Sequence, residues 1–223
     1  MTSEGGYYDT EAGLNAVVNA CYTPLRFWAG KEDAIGLSET GTDIIAAGSG
    51  CVDNNMAAYT QSLDGTNSAC TFYFDRFYAA INWCNTAIFH AQTVPNPSND
   101  EILATTLNKR EAEARVLRTF YYWILTETFG DTYYTDQPST SIVMNPVKTS
   151  TDNIYQYMFD DLDWAIKSKL STLQNDGGRV TIWTAKALKA RLLLTRASEK
   201  NDVDMYGPVS YTHLRAHETS AHL

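Results

Sequence analysis

Basic charge is scarce in this sequence of 223 residues: 17 Lys and Arg stand against 26 Asp and Glu, a net charge of −9. Polyanions are bound mainly through Lys and Arg, so a nucleic-acid partner is excluded on charge. A polybasic patch for a membrane surface is missing for the same reason. No apolar run approaches the roughly 18–20 residues that a membrane-spanning helix needs. The opening Met-Thr-Ser-Glu-Gly-Gly has neither the basic nor the apolar region of a secretory signal. Two alternatives follow: a cytoplasmic protein, or a chain whose true N-terminus lies upstream. None of the four cysteines, Cys21, Cys51, Cys70 and Cys84, forms a C-x-x-C pair, so structural zinc is not expected. Cys70 and Cys84 fall on one predicted helix, roughly 21 Å apart at about 1.5 Å per residue, beyond disulfide reach. The cysteines read as small buried hydrophobes and do not fix the compartment. Histidine is as scarce: His213, His217 and His222 sit at the very end, leaving only His90 in the body. A Ser-His-Asp set is therefore not credible. Gly48-Ser49-Gly50 lacks the third glycine and the strand-to-helix context of a dinucleotide fingerprint.

What is present is a globular composition, 44% hydrophobic and 19% charged, with length for one large or two small domains. Aromatics are abundant, at 14 Tyr, 8 Phe and 5 Trp. They serve as core, or as platforms for flat ligands such as sugar rings and bases. The pattern is helical. Asp9 or Thr10 caps a first helix whose apolar positions Leu14, Val17, Val18, Cys21, Leu25 and Trp28 recur at three and four. Pro24 should kink or end its regular part and Gly30 should close it. Residues 31–67 lose the periodicity, are rich in Gly, Ser, Thr, Asn and Asp, and read as a long irregular segment of the kind that often carries function. A second helix spans 68–92, with Phe74, Phe77, Ile81, Cys84 and Ile88 as its stripe. Ser98 and Glu101 form a capping box for a third, which ends at Gly130. At about thirty residues the third helix spans roughly 45 Å, and the short linker predicts antiparallel packing against the second. Residues 131–150 are a polar connection. A fourth helix covers 152–170, capped by Thr151, and a fifth 182–198, with alanines that permit close approach. Helix, short turn, helix suggests tetratricopeptide-like pairs without the strict repeat.

These residues carry a likeness. Glu111-Ala112-Glu113-Ala114-Arg115-Val116-Leu117-Arg118-Thr119-Phe120-Tyr121-Tyr122 resembles the "EAxFLRAFYY" helix of the SusD/RagB family, nutrient-binding outer-membrane lipoproteins of Bacteroidetes. Thr10-Glu11 through Tyr22 with Leu25-Arg26 resembles the family's opening helix. Tyr78, Ile81, Asn85 and Ile88 resemble its "YxxIxxxNxxI" helix. Ile154-Tyr155, Asp161-Leu162 and Ala165 resemble "IYxxIxxDLxxA". Gly178-Arg179, Ala185, Ala187-Leu188, Ala190-Arg191 and Leu194 resemble "GRxTxxAAxALxARxxL". The motifs run in order across about 10–195. Where the family continues Tyr-Gly-Asp-Val-Pro-Leu, this chain has Phe129-Gly130-Asp131-Thr132-Tyr133-Tyr134, which keeps the turn and loses the proline.

The resemblance implies an all-α fold of tetratricopeptide-like antiparallel helix pairs with a long irregular loop segment. It implies that 1–207 is the N-terminal part of a longer SusD-like domain. The end of the chain, 208–223, resembles translated sequencing-adapter DNA and is expected to be a non-native tail. The implied function is non-catalytic capture of an oligosaccharide or other nutrient for a TonB-dependent outer-membrane transporter. The implied location is the cell surface, held by a lipid anchor that this chain does not contain. In the family the carbohydrate surface is built on loops, with aromatics and amides on the sugar. The counterpart segment here offers Thr40, Asp43, Tyr59, Asp64 and Asn67 as ligand-binding candidates, with Asn54 and Gln61 beside them. Rings stack on Tyr, and Asp, Asn and Gln satisfy hydroxyls; the bland use of the same residues is to terminate turns.

No cofactor or metal is expected. His213 and His217 are spaced for one helical face but sit in the suspect tail. Asp202, Asp204 and Gly207 mimic a calcium loop whose twelfth position is His213 rather than a bidentate Glu. An enzyme reading needs carboxyls about 5 Å apart for retaining glycoside hydrolysis, and both Asp160/Asp161 and Glu111/Glu113 diverge on their helices; they read as solvated faces or partners of Arg115 and Arg118. The alternative to a glycan binder is a helical-repeat scaffold for a protein partner, which a Tyr- and Leu-lined groove would favour.

Overall fold

The computed structural model describes residues 4–28, 32–46, 48, 57–62, 64–96, 98–168, 170–173 and 177–201. Gly30, Cys51, Asn54 and the whole 208–223 segment lie outside them. The chain opens with α1 (Glu4–Tyr8) and α2 (Glu11–Tyr22). Thr10 Oγ1 accepts from the Gly13 amide at 3.1 Å and caps α2. A Cβ on Gly13 would stand 2.0 Å from the Tyr7 carbonyl oxygen, so glycine is what lets α1 fold back onto α2. Pro24 follows the end of α2, and the chain resumes as the single turn α3 (Leu25–Trp28). The segment expected to be irregular from residue 31 contains a helix, α4 (Glu32–Ser38), which corrects that expectation.

Two long helices form the axis of the fold. The first, α5 (Ser68–Thr93), is capped by Asn67, whose Oδ1 accepts from the Ala69 and Cys70 amides. The second, α6 (Glu101–Phe129), is capped by Asp100, whose carboxylate accepts from the Ile102 and Leu103 amides. Ser98 is therefore not the cap: Asn96 and Asp100 exchange two hydrogen bonds and set the start of α6 at Glu101. Gly130, at φ +70°, ends α6. A short antiparallel pair follows, β1 (Thr132–Tyr133) with β2 (Lys148–Thr149), in the register Thr132 to Thr149 and Tyr133 to Lys148. Then come α7 (Thr151–Lys167), capped by Ser150 rather than Thr151, and α8 (Ile182–Lys200), capped by Thr181 in a reciprocal pair with Thr184. Helix α6 packs on α5, α7 and α2, and α8 packs on α7. The body is all-α and built of antiparallel pairs.

The core comes from Leu14, Val18, Phe77, Ile81, Leu125, Ile154, Met158 and Leu162, all essentially buried. Phe74, expected in that stripe, is 39% exposed; Tyr73 holds the buried place instead. Cys21 and Cys84 meet inside the core as free thiols, and burial pushes the Cys84 thiol well up.

Buried charge interlocks the helices. Arg118 donates through Nε and Nη2 to both oxygens of Asp161 at 2.8 Å, and through Nη1 to Asn85 Oδ1 at 2.8 Å. Arg115 reaches Asp161 at 2.6 Å and Glu111 at 2.7 Å. Asn85 turns its amide to the Thr135 and Gln137 carbonyls at 3.0 and 3.1 Å. One network therefore spans α5, α6, α7 and the chain leaving β1. Glu113 forms another: fully buried, it accepts from Tyr22, Arg110 and Arg179. Tyr22 in turn accepts from the Val180 amide at 3.0 Å, which ties α2 to the approach to α8.

Candidate functional site

Where α6 ends, its last residue Phe129 meets Phe74 of α5, with centroids 5.5 Å apart and rings near perpendicular at 85°. Gly130 reverses the chain into β1, which brings Tyr133 alongside Tyr78 at 6.5 Å in a stacked pair. The Tyr78 hydroxyl donates to the Tyr133 carbonyl at 2.6 Å, so Thr132 Oγ1, also at 2.6 Å, donates to it. Burial raises the Tyr78 phenol and keeps that proton in place. Tyr122 holds the next residue: its hydroxyl accepts from the Thr135 amide at 2.8 Å and donates to the Thr135 carbonyl at 2.9 Å.

Between these elements lies a cavity of about 430 Å³. Gly65, Cys70, Thr71 and Phe74 form one wall, Phe129, Asp131, Thr132 and Tyr133 the other, and Pro146 and Lys148 complete it. Asp131 Oδ1 accepts from the Thr151 amide at 2.8 Å and its hydroxyl at 2.9 Å. Those two donors hold the exposed Asp131 carboxyl below the usual range, with a smaller contribution from Lys148. Oδ2 accepts from no group among the described residues.

The candidates expected from the irregular segment divide into two groups. Asp64 and Asn67 stand on either side of the cavity-lining Gly65, and neither lines the cavity. Asp64 Oδ1 accepts from the Thr66 amide and hydroxyl at 2.8 and 2.7 Å, which holds its carboxyl low, and its carbonyl accepts from the Asn67 amide at 3.0 Å. Asn67 is buried, with its oxygen on the α5 amides and its Nδ2 on the Ser62 carbonyl at 3.1 Å. Both side chains thus build the turn. Thr40 and Asp43 belong to a separate turn, closed by a bridge from Thr40 to Ile45, in which Thr40 donates to the Ile35 carbonyl at 3.2 Å. Tyr59 is 72% exposed at φ +47°. None of Thr40, Asp43, Tyr59, Asp64 and Asn67 lines the cavity. Phe74, Phe129, Asp131, Tyr133 and Lys148 were not singled out from the sequence. Phe74 reads there as core, and the other four converge only when the 132–149 pairing closes.

A second, larger depression of about 1280 Å³ runs between α3, α4, α6 and α8. Trp28, Ile35, Phe120, Trp123, Leu188 and Leu194 line it, with Arg191 over the Trp123 ring at 5.4 Å. Neither space contains the buried acids: Glu111, Glu113 and Asp161 are all held by guanidinium groups. Glu127, a carboxyl raised by burial, is bonded by Tyr155 at 2.5 Å and also lies outside both. His90 pairs with Asp9 at 2.9 Å. No group of three metal-ligating side chains occurs among the described residues, and no helix there is long and apolar enough to cross a membrane.

The model of the SusD-like family, described as starch-binding and associating with the outer membrane, matches residues 44–205. A SusD-like protein of Bacteroides ovatus is 30% identical over 127 residues, which are 56% of this chain and 22% of that one. Among solved structures, a SusD superfamily protein of Parabacteroides distasonis superposes with a TM-score of 0.79 at 20% identity, over 93% of this chain and 45% of that chain. A laminarin-binding SusD-like protein superposes with a TM-score of 0.66 at 21% identity, over 87% of this chain and 42% of that chain. The chain spans less than half the length of the relatives it matches.

Proposed function

The chain belongs to the SusD-like family, and from that premise we propose that it is part of a surface protein that binds oligosaccharide without altering it. The observation that carries this reading is the cavity at the end of α6. It joins aromatic surface, exposed at Phe74 and half-buried at Phe129 and Tyr133, to an ionised acceptor and an ammonium donor, Asp131 and Lys148, on an interlocked helical support. Sugars need that combination, because ring C–H faces stack on aromatics while hydroxyls need donors and acceptors. The cavity's volume sits at the small end of the ~300–1,000 Å³ span of ligand sites. The family's description as starch-binding and the laminarin-binding neighbour point the same way. Thr40, Asp43 and Tyr59 supply an outer contact surface, while Asp64 and Asn67 build the turn that carries Gly65.

Among the described residues, the buried acids Glu111, Glu113 and Asp161 are each held by guanidinium groups, which supports binding rather than hydrolysis. Capture at the bacterial outer surface, tethering by a lipid anchor and delivery to a TonB-dependent transporter complete the reading, with no nucleic acid and no cofactor involved. Calorimetry of the chain against maltooligosaccharides and laminarioligosaccharides tests it. Saturable binding is expected, with loss of about tenfold or more on Tyr133→Ala, on the scale of one aromatic contact. Heat-free titrations across a broad glycan panel, with the protein shown folded by circular dichroism, would overturn it.

The depression lined by Trp28, Ile35, Phe120 and Leu188 favours a second reading, a helical-repeat scaffold for a protein partner. Under it, Leu188→Asp abolishes complex formation while glycan titrations stay flat.

A further inference from the structure

Thr132 and Tyr133 line the cavity, yet the strand they form is two residues long and pairs only with another of the same length. A two-stranded pair of that size is marginal in water, so the wall needs another support to keep its shape. The helices supply it. Tyr78 of α5 reaches both residues at once. Its hydroxyl donates to the Tyr133 carbonyl at 2.6 Å and accepts from Thr132 Oγ1 at 2.6 Å. Its ring stacks on Tyr133 and also meets Phe74, with centroids 4.6 Å apart. Two residues further on, Tyr122 of α6 exchanges two hydrogen bonds with the Thr135 backbone. The fully buried Asn85 donates to the Thr135 and Gln137 carbonyls at 3.0 and 3.1 Å. Arg118 fixes the direction of that amide. A guanidinium only donates, so Asn85 Oδ1 faces Arg118 and Nδ2 faces the chain. Asp161 holds Arg118 in turn.

We propose that Tyr78 is a positioning residue of the glycan site, setting the Thr132–Tyr133 wall on which a sugar packs, while Tyr122 and Asn85 hold the chain beyond it. This inference rests on the glycan-binding reading of the cavity. Tyr78 does not line the cavity, and neither do Asn85, Arg118, Tyr122 and Asp161. These five are residues through which the sequence resembles its family, so the likeness marks the frame of the site rather than its lining. Without the Tyr78 hydroxyl, the short ladder alone holds Tyr133 from that side. A docking sugar must then order the wall as it binds, and that ordering is lost from the affinity.

The test is calorimetric titration of wild type, Tyr78→Phe and Tyr121→Phe with maltooligosaccharides and laminarioligosaccharides, alongside amide hydrogen exchange without ligand. Tyr78→Phe keeps the ring and deletes only the hydroxyl. Tyr121→Phe deletes a comparable buried hydroxyl, which donates to the Cys21 carbonyl of α2 at 2.6 Å. Each variant should lower the thermal midpoint by about 2–4 °C, the effect of one hydrogen bond in a protein of this size. Tyr78→Phe alone should weaken glycan binding about fivefold or more and speed exchange across β1 and β2. Tyr121→Phe should match wild type in both readouts. Tyr122→Phe, which frees Thr135 instead, should move affinity and exchange in the same direction as Tyr78→Phe, so the test stands even if Tyr78→Phe does not fold. Wild-type affinity in the hairpin variants, an equal loss in Tyr121→Phe, or unchanged exchange across β1 and β2 would overturn the positioning role and leave glycan binding intact. If wild type binds neither series, the glycan-binding reading fails and the positioning role with it.

Discussion

At the scale of single residues, the likeness-bearing stretch 111–122 is a set of buried charges and hydroxyls rather than a ligand surface. Arg118, 3% exposed, satisfies two oxygens of Asp161 and one of Asn85. Replacing it with Met would keep most of the volume and leave Asp161 with Arg115 alone, and Asn85 Oδ1 without a donor. Breaking a buried pair by removing one partner costs about 3–5 kcal/mol, because the other charge remains desolvated. Denaturant unfolding of Arg118→Met should show a loss of that size, and a loss below about 1 kcal/mol would mean that the network is solvated and not interlocking. The sequence supports part of this arrangement. Helical spacing places Arg115 one turn from Glu111, and the expectation that acids here partner Arg115 and Arg118 matches Glu111 and Asp161. Arg110 stands one turn before Glu113, but its other two partners were not legible, since Tyr22 and Arg179 lie 91 and 66 residues away and only tertiary packing unites them.

At the scale of elements, periodicity and end signals located the long helices, and boundary chemistry decided where they differ from expectation. Two readings of the start of α6 compete in the sequence, Ser98 with Glu101 as a capping box and Asp100 as a simple cap. The structure selects Asp100, because Asn99 adopts φ +51° and the Asn96 side chain folds over the Asp100 backbone. Cap removal costs about 1 kcal/mol. Asp100→Ala should therefore lower stability by about that amount in thermal or denaturant unfolding, while Ser98→Ala should leave it unchanged; the reverse order would restore the capping box. Helix α4 was hidden for a different reason. It is seven residues long and holds Gly36, in a stretch whose Gly and Ser content drowns any period. A Cβ on Gly36 would meet nothing within 4 Å, so the glycine is tolerated and not required. The residues that line the cavity were not legible as a site in the sequence. Asp64 and Asn67 come from the segment judged functional, whereas Phe129, Asp131, Tyr133 and Lys148 are gathered by a pair of two-residue strands across a 14-residue connection that no short-range pattern encodes.

At the scale of the whole molecule, α2, α5 and α7 pack on α6 and leave part of it open in the depression beside α8. Ile35 of α4 and Leu194 of α8 are each 45% exposed on the margins of the 1280 Å³ depression, with Trp28, Phe120 and Leu188 beneath them. Contiguous apolar surface of this kind is a contact site or an association hazard, since water gains by leaving it. The net charge of −9 opposes close approach of two copies but is distributed over the chain and screened at ordinary salt. The depression should therefore dominate at high concentration. Sedimentation velocity at physiological salt should show concentration-dependent self-association, and the double substitution Ile35→Glu with Leu194→Glu should suppress it. Both side chains are substantially exposed, so the thermal midpoint should shift only by what surface changes produce, about 0.5 kcal/mol each. Added repulsion alone could mimic the effect; two glutamates at the exposed Thr140 and Ser141, far along the chain in the β1–β2 connection, supply the control. If that control disperses the protein equally well, net charge and not the depression governs association. If only the Ile35/Leu194 variant does, the open side of α6 is the surface through which this chain meets other polypeptide, and the cavity at the end of α6 is left free for ligand.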